Sequence, residues 1–320
     1  MSDHTVVVLV LNYNGRALLE TCLPSIVAAA ANADSQCRVV VVDNDSTDDS
    51  REWLARQWPE IECIHEPNKG LASFNAVLKR FDAPYALLLN NDVKLAPDAI
   101  DPLIGALERH SDALFAAPYC LGFDDATYEG MRTRVRDRFG LIQGVCRVPG
   151  HENHVHKADL TASAGPVLAV DRVKFLALGG YDPIYFPGRL EDLDLGFRGW
   201  LRGWRGLYVP AAKAWHKGFG SFEPAFGASG CDHLALRNTL IFTWRNIRGR
   251  RLMCHFMWLG PRLVHSLLFR RGVLVQAFRD ALAIWLRRNS GDQADTVWYA
   301  RLSALDHRRR QEAFFRRFSW

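Results

Sequence analysis

The chain has 320 residues, 48% of them hydrophobic, enough for one large core with an accessory segment. Its seven cysteines are scattered and form no C-x-x-C pair, which excludes a disulfide framework or a cysteine metal site and points to a reducing cytosol. The net charge of +5 is uneven: residues 231–320 hold 17 arginines, no lysine and 6 acids, a net of +11, so residues 1–230 carry −6. The N-terminal apolar run is too short for a secretory signal, and no run reaches the roughly 18 apolar residues of a membrane span. The closest, residues 252–269, is broken by His255, Pro261, Arg262 and His265.

In chain order, residues 5–11 form a β-branched strand ending in the turn Asn12-Tyr13-Asn14-Gly15. A helix over 17–31 follows. A second strand, 38–42, ends in Asp43-Asn44-Asp45, and Ser46 or Thr47 is placed to cap the next helix. A third strand, 61–65, leads through Asn68-Lys69-Gly70 into a helix reaching Lys79. The fourth, 85–89, ends in Asn90-Asn91-Asp92, and Pro97 opens another helix. This alternation predicts a doubly wound α/β sheet of parallel strands. Residues 120–160 show little periodicity and are expected to be loops, with His151, His154 and His156 solvated rather than gathered on a metal. A strand over 162–170 and a helix over 171–177 follow. Glu191-Asp192-Leu193-Asp194 opens a helix to Arg202, and a short strand over 206–209 precedes His216.

Ligands in open α/β sheets sit at the carboxyl ends of strands. Three such tips carry polar groups: Asn12/Tyr13/Asn14, Asp43/Asp45 and Asn90/Asp92. The Tyr13 ring can stack a base, and Asp43 can accept an N3–H of uracil or thymine. Neither the dinucleotide fingerprint nor a P-loop is present. A divalent ion at Asp92 would therefore meet the phosphate charge. A carboxylate at the start of the 191–202 helix can stay ionised as a base, and His216 can ligate the same ion.

The ordered motifs VLNYNG, VVVDNDSTDDS, NKGLASFNAVLK, LLLNNDV, GGYDPIYF…EDLDLGFR and WHKGFGS resemble the family-two inverting glycosyltransferases. The branch they most resemble is the rhamnosyltransferase-like one, which builds bacterial surface polysaccharides. The resemblance covers about residues 5–250. It implies a GT-A fold, a Rossmann-like mixed sheet, over residues 1–230, with a C-terminal helical extension over 231–320. It also implies that Asn12, Tyr13, Asn14, Asp43, Asp45, Asn68 and Gly70 hold the nucleotide. Asn90 and Asn91 lead into Asp92 at the family's D-x-D position, with Asn90 replacing the usual first Asp. Asp92 and His216 are the implied ligands of Mn²⁺ or Mg²⁺, and Asp192, beside Glu191, the implied general base. The implied reaction moves a sugar, with inversion, from dTDP-rhamnose or a UDP-sugar to a saccharide or polyprenyl-linked saccharide.

The basic, Trp-bearing tail predicts amphipathic helices over 252–269 and 273–286 at an anionic surface, the inner face of the cell membrane. The competing expectation is that these helices pack on the catalytic domain or form a homodimer. Helical spacing of the tail's apolar residues argues against nucleic acid as partner. A processive synthase is disfavoured because Gln276-Ala277-Phe278-Arg279-Asp280 lacks the Trp of Q-x-x-R-W. A non-catalytic sugar-nucleotide binder would require Asp92 or Asp192 to be dispensable.

Overall fold

The computed structural model describes residues 6–218, 222–269, 272–289 and 302–320. Thr5 and residues 219–221, which enter the expectations above, lie outside them. The first half runs β1 (Val6–Asn12), α1 (Arg16–Asn32), β2 (Cys37–Asp43), α2 (Ser50–Gln57), β3 (Glu62–His65), α3 (Ser73–Val77), β4 (Tyr85–Asn90), β5 (Val93–Leu95) and α4 (Ile100–Arg109). Strands β4, β1, β2 and β3 lie side by side and parallel. Val6–Val10 and Leu87–Leu89 are buried on both faces of the sheet, which is why their sequences are unbroken apolar runs. Helix α4 buries Ile100, Leu103, Ile104 and Leu107, a single stripe at helical spacing.

Residues 120–160, expected to be loops, contain several strands. They take in the end of β6 (Ala113–Gly122), β7 (Tyr128–Gly130), a separate hairpin of β8 (Arg134–Arg138) and β9 (Leu141–Val145), and β10 (Asp159–Leu160). In β8, the alternation of Arg134, Arg136 and Arg138 with buried Val135 is a two-residue period that its charge conceals. Then come β11 (Val167–Asp171), α5 (Arg172–Ala177), α6 (Glu191–Arg202) and β12 (Arg205–His216). Strand β11 runs antiparallel between β4 and β6, so the sheet is mixed, in the order β10-β12-β6-β11-β4-β1-β2-β3. Strand β12 is three times the expected length. It crosses Pro210 through an irregularity between Val209 and Lys213 and resumes pairing with β6. His216 is therefore its last residue rather than part of a following loop. Neither Ser46 nor Thr47 caps α2; Asp48 accepts from Ser50 N at 3.2 Å instead. Helix α4 likewise begins at Ile100, beyond Pro97.

The tail folds as α7 (Phe222–Asn246, interrupted at Gly227), α8 (Arg250–Phe269), α9 (Val273–Asn289) and α10 (Ala304–Phe318). These helices share a second core with α6 and the β8–β9 hairpin. At its centre Phe197 meets Phe242 and Phe314 edge-on, with ring centroids 5.7 and 5.0 Å apart. Residue 230, the expected limit of the catalytic region, falls inside α7.

Candidate active site

Sheet register assembles the strand tips expected to hold the nucleotide. Asn12, Asp43 and His65 lie abreast at the ends of β1, β2 and β3, with Asn90 beside Leu11. Asn12 is buried; its Nδ2 donates to Ser46 Oγ at 3.2 Å, and its Oδ1 accepts from Asn91 Nδ2 at 2.8 Å. Asn14, at φ 47°, accepts from Thr47 N at 2.7 Å. Asn68 accepts from Gly70 N and Asn44 Nδ2, both at 3.1 Å. These five amides, Asn44 and Asn91 included, are committed to shaping the loops. Asp43, 1% exposed, accepts from Ser46 N at 3.1 Å. The Tyr13 ring, by contrast, is exposed, as is the Asp45 carboxylate. His65 was not foreseen: its Nδ1 is 3.4 Å from Asp43 Oδ1 and its Nε2 3.7 Å from Asp45 Oδ1. Its position at a strand tip beside two acids was the available signal.

The second part of the candidate site is built by β5 and β12. Strand β5 starts one residue after Asp92, and Val93 pairs with His216. Asp92 Oδ2 thus lies 3.4 Å from His216 Nε2. Asp92 Oδ1 is buried without a hydrogen-bond partner. Burial disfavours a charged imidazole, but the Asp92 and Glu129 carboxylates prevail and push His216 up to about 9. Among the described residues no group of three or more His, Cys, Asp or Glu forms a ready metal cage. A carboxylate and an imidazole with an orphaned buried oxygen nevertheless fit Mn²⁺ or Mg²⁺, which take much of their coordination from substrate phosphates and water.

The third part is the start of α6. Asp194 is fully satisfied by Tyr185 Oη at 2.9 Å, Asn246 Nδ2 at 2.8 Å and Arg198 Nε at 2.5 Å, and belongs to the framework. Glu191 and Asp192 differ: Glu191 Oε2 and Asp192 Oδ1 are buried without partners. Burial, reinforced by the neighbouring Asp192 charge, raises Glu191. Burial also raises Asp192, against the opposing Tyr181 hydroxyl. The segment leading to them rests on α3 and Gly70. Asn75 Nδ2 donates to the Tyr181 carbonyl at 2.7 Å, and Tyr181 N donates to Asn75 Oδ1 at 2.9 Å. Gly70, at φ 59°, is packed so closely that a Cβ would lie 3.0 Å from the Pro187 carbonyl oxygen. From the tail, Asn238 Nδ2 donates to the carbonyls of Tyr185, Gly188 and Arg189, so α7 holds the approach to α6.

Residues 6–157 match the family model "Glycosyl transferase family 2". The chain is 27% identical over 268 residues to an N-acetylglucosaminyl-diphospho-decaprenol L-rhamnosyltransferase of Mycobacterium tuberculosis, covering 76% of this chain and 84% of that protein. Among solved structures, S. aureus TarS 1-349 in complex with UDP-GlcNAc is similar at a TM-score of 0.54 and 14% identity, over 88% of this chain and 81% of that one. GalNAc-T7 with UDP, GalNAc and Mn²⁺ is similar at 0.53 and 16%, over 83% of this chain, which spans 57% of that enzyme's chain. With the mixed sheet and the polar strand ends described above, these matches bear out the resemblance: residues 6–157 are similar to the family 2 glycosyltransferases, the sequence is similar to that of a rhamnosyltransferase, and the fold is GT-A.

Proposed function

We propose that the protein transfers a sugar, with inversion, from a nucleoside diphosphate donor to a lipid-linked saccharide in surface polysaccharide synthesis. Rhamnose carried on dTDP is the favoured donor. The observation that carries the reading is a pair of buried, unpartnered carboxylate oxygens, on Asp92 and Asp192, one in each half of the site. An unsatisfied buried oxygen is costly in a resting protein and useful where a ligand completes it.

Tyr13 and Asp43 would hold the base, with Asp45 near the ribose. Asp92 and His216 would hold Mn²⁺ or Mg²⁺, which when bound offsets the charge of the leaving diphosphate. Asp192 Oδ1 receives the acceptor hydroxyl proton while that oxygen bonds to the anomeric carbon. The bond from that carbon to the diphosphate breaks on the opposite face, and a single displacement inverts the configuration. The loop 181–188, clamped on α3 and Gly70, keeps donor and base in one frame and lowers the entropic cost of alignment.

The related rhamnosyltransferase is named for a decaprenol-linked acceptor, which supports a peripheral position on the inner face of the cell membrane. Helix α8 has no acidic residue and exposes Met253, Phe256, Met257, Leu267, Leu268 and Phe269. Among the described residues no helix is long and apolar enough to cross a membrane. A screen of dTDP-, UDP- and GDP-sugars, read by nucleotide release with a lipid-linked acceptor, tests the proposal. Acceptor-dependent release from one donor is expected, and no release from any donor would overturn it.

A further inference from the structure

Nothing in the sequence singles out Glu129, which lies in an irregular part of the sheet. The pairing of β7 with β6 steps from Cys120↔Gly130 to Leu121↔Tyr128, leaving Glu129 as the extra residue of a β-bulge. Bulges re-aim a side chain and collect beside active sites. Gly130 permits this one: its φ is +116°, and a Cβ there would lie 2.7 Å from Cys146 Sγ.

The re-aimed carboxylate reaches His216. Glu129 Oε2 is 3.7 Å from His216 Nδ1, and Asp92 Oδ2 is 3.4 Å from Nε2 across the ring. His216 Nδ1 is buried and has no hydrogen-bond partner, and the Glu129 carboxylate is the acceptor that faces it. Glu129 is braced from behind. Arg147 Nη2 donates to Oε1 at 2.8 Å, and Arg147 Nε donates to the Tyr128 carbonyl at 2.6 Å. An imidazole whose Nδ1–H faces a carboxylate turns the lone pair of Nε2 the other way, and partners of this kind orient metal-ligating histidines.

The geometry points to Glu129 as the positioning residue for His216, fixing the ring so that Nε2 and Asp92 face one divalent cation. This rests on the reading of Asp92 and His216 as cation ligands. A purely structural Glu129 would only staple β7 through Arg147, and the two roles separate by experiment. Mn²⁺ alone is titrated into the full chain and followed by loss of the free-ion EPR signal, with melting temperature as a fold control. Wild type should bind and His216→Ala should not; if wild type fails to bind, or His216→Ala binds equally, the ligand assignment itself fails.

Given that result, Glu129→Gln should weaken Mn²⁺ binding by about 10- to 100-fold. Arg147→Met, which leaves the carboxylate facing the ring, should weaken it less. Glu129→Asp should fall between wild type and Gln, and it serves in place of Gln if the Gln variant melts early. Unchanged affinity in Glu129→Gln, or an equal loss in Arg147→Met, would overturn the inference.

Discussion

Glu191, Asp192 and Asp194 lie within four consecutive positions of one helix and have different fates. Their spacing and chemistry were legible in the sequence, but their ranking was not, because it depends on partners supplied from distant segments. Asp194 meets Tyr185, Arg198 and Asn246, whereas Glu191 and Asp192 each keep a bare buried oxygen. Asp192→Asn is expected to lower transfer by about 10²–10⁴ while donor binding persists, as measured by turnover and by calorimetry with the donor. Asp194→Asn should instead unsettle the fold, by about 3–5 kcal/mol, because the buried Arg198 guanidinium loses that carboxylate. Denaturant melts check this.

The pH dependence has a definite sign. Burial raises both Glu191 and Asp192 above their ordinary values of 4.5 and 3.8. Transfer needs the ionised base, so activity should climb with pH through the raised value rather than be complete by pH 5. For stability, the raised groups favour the native state while protonated. That contribution is full below the ordinary values and fades as pH rises through the raised ones. Glu191→Gln should therefore melt above wild type near neutrality and converge with it in acid. A melting series across pH checks this, and parallel curves would contradict the burial argument.

Among the elements, α8 and α9 of the tail were legible from their periodicity and their charge, whereas α7, α10 and the attachment of all four were not. His255 looked like an interruption of an apolar run. Buried, it accepts from Trp244 Nε1 at 3.0 Å, and its Nδ1 lies 3.1 Å from the Gly140 carbonyl, tying α8 to the β8–β9 turn. Gly140, at φ +82°, fits there because a Cβ would sit 2.4 Å from His255 Cβ. Several tail arginines are paired: Arg251 with Asp137 and Glu312, Arg317 with Asp159, and Arg310 donates to the Leu201 carbonyl at 2.7 Å. Packing on the catalytic body therefore uses part of the basic excess. The outer face of α8, with Phe256 and Leu268, keeps its apolar surface exposed. Co-sedimentation should show binding to anionic vesicles, weaker binding to neutral ones, and a loss on Phe256→Asp/Leu268→Asp with turnover of a soluble acceptor retained. Equal recovery in the supernatant with both vesicle types would leave only packing or dimerisation for this face.

At the scale of the whole molecule, the first four βα units declared themselves because β1 and β4, buried on both faces, are apolar throughout, and turn-forming polar residues follow each strand. In the other half α5 and α6 were legible and several strands were not. Strand β12 runs past Pro210 well beyond the short strand expected over 206–209, β8 sets Arg134, Arg136 and Arg138 around Val135 and Asp137, and β7 holds a bulge, so no local pattern announces them in full. They matter because β12 and β5 bring residues 216 and 92 together across the sheet, a meeting set by long-range register and absent from any local window. The central claim is a single in-line displacement between a donor held at Asp92 and an acceptor activated by Asp192. Its most direct test is the anomeric configuration of the product, read by NMR after transfer from the donor that the screen identifies. The account predicts a glycosidic bond of configuration opposite to the donor's, formed only when Mn²⁺ or Mg²⁺ is supplied. A product that retains the donor configuration, or full transfer under thorough chelation, would contradict it.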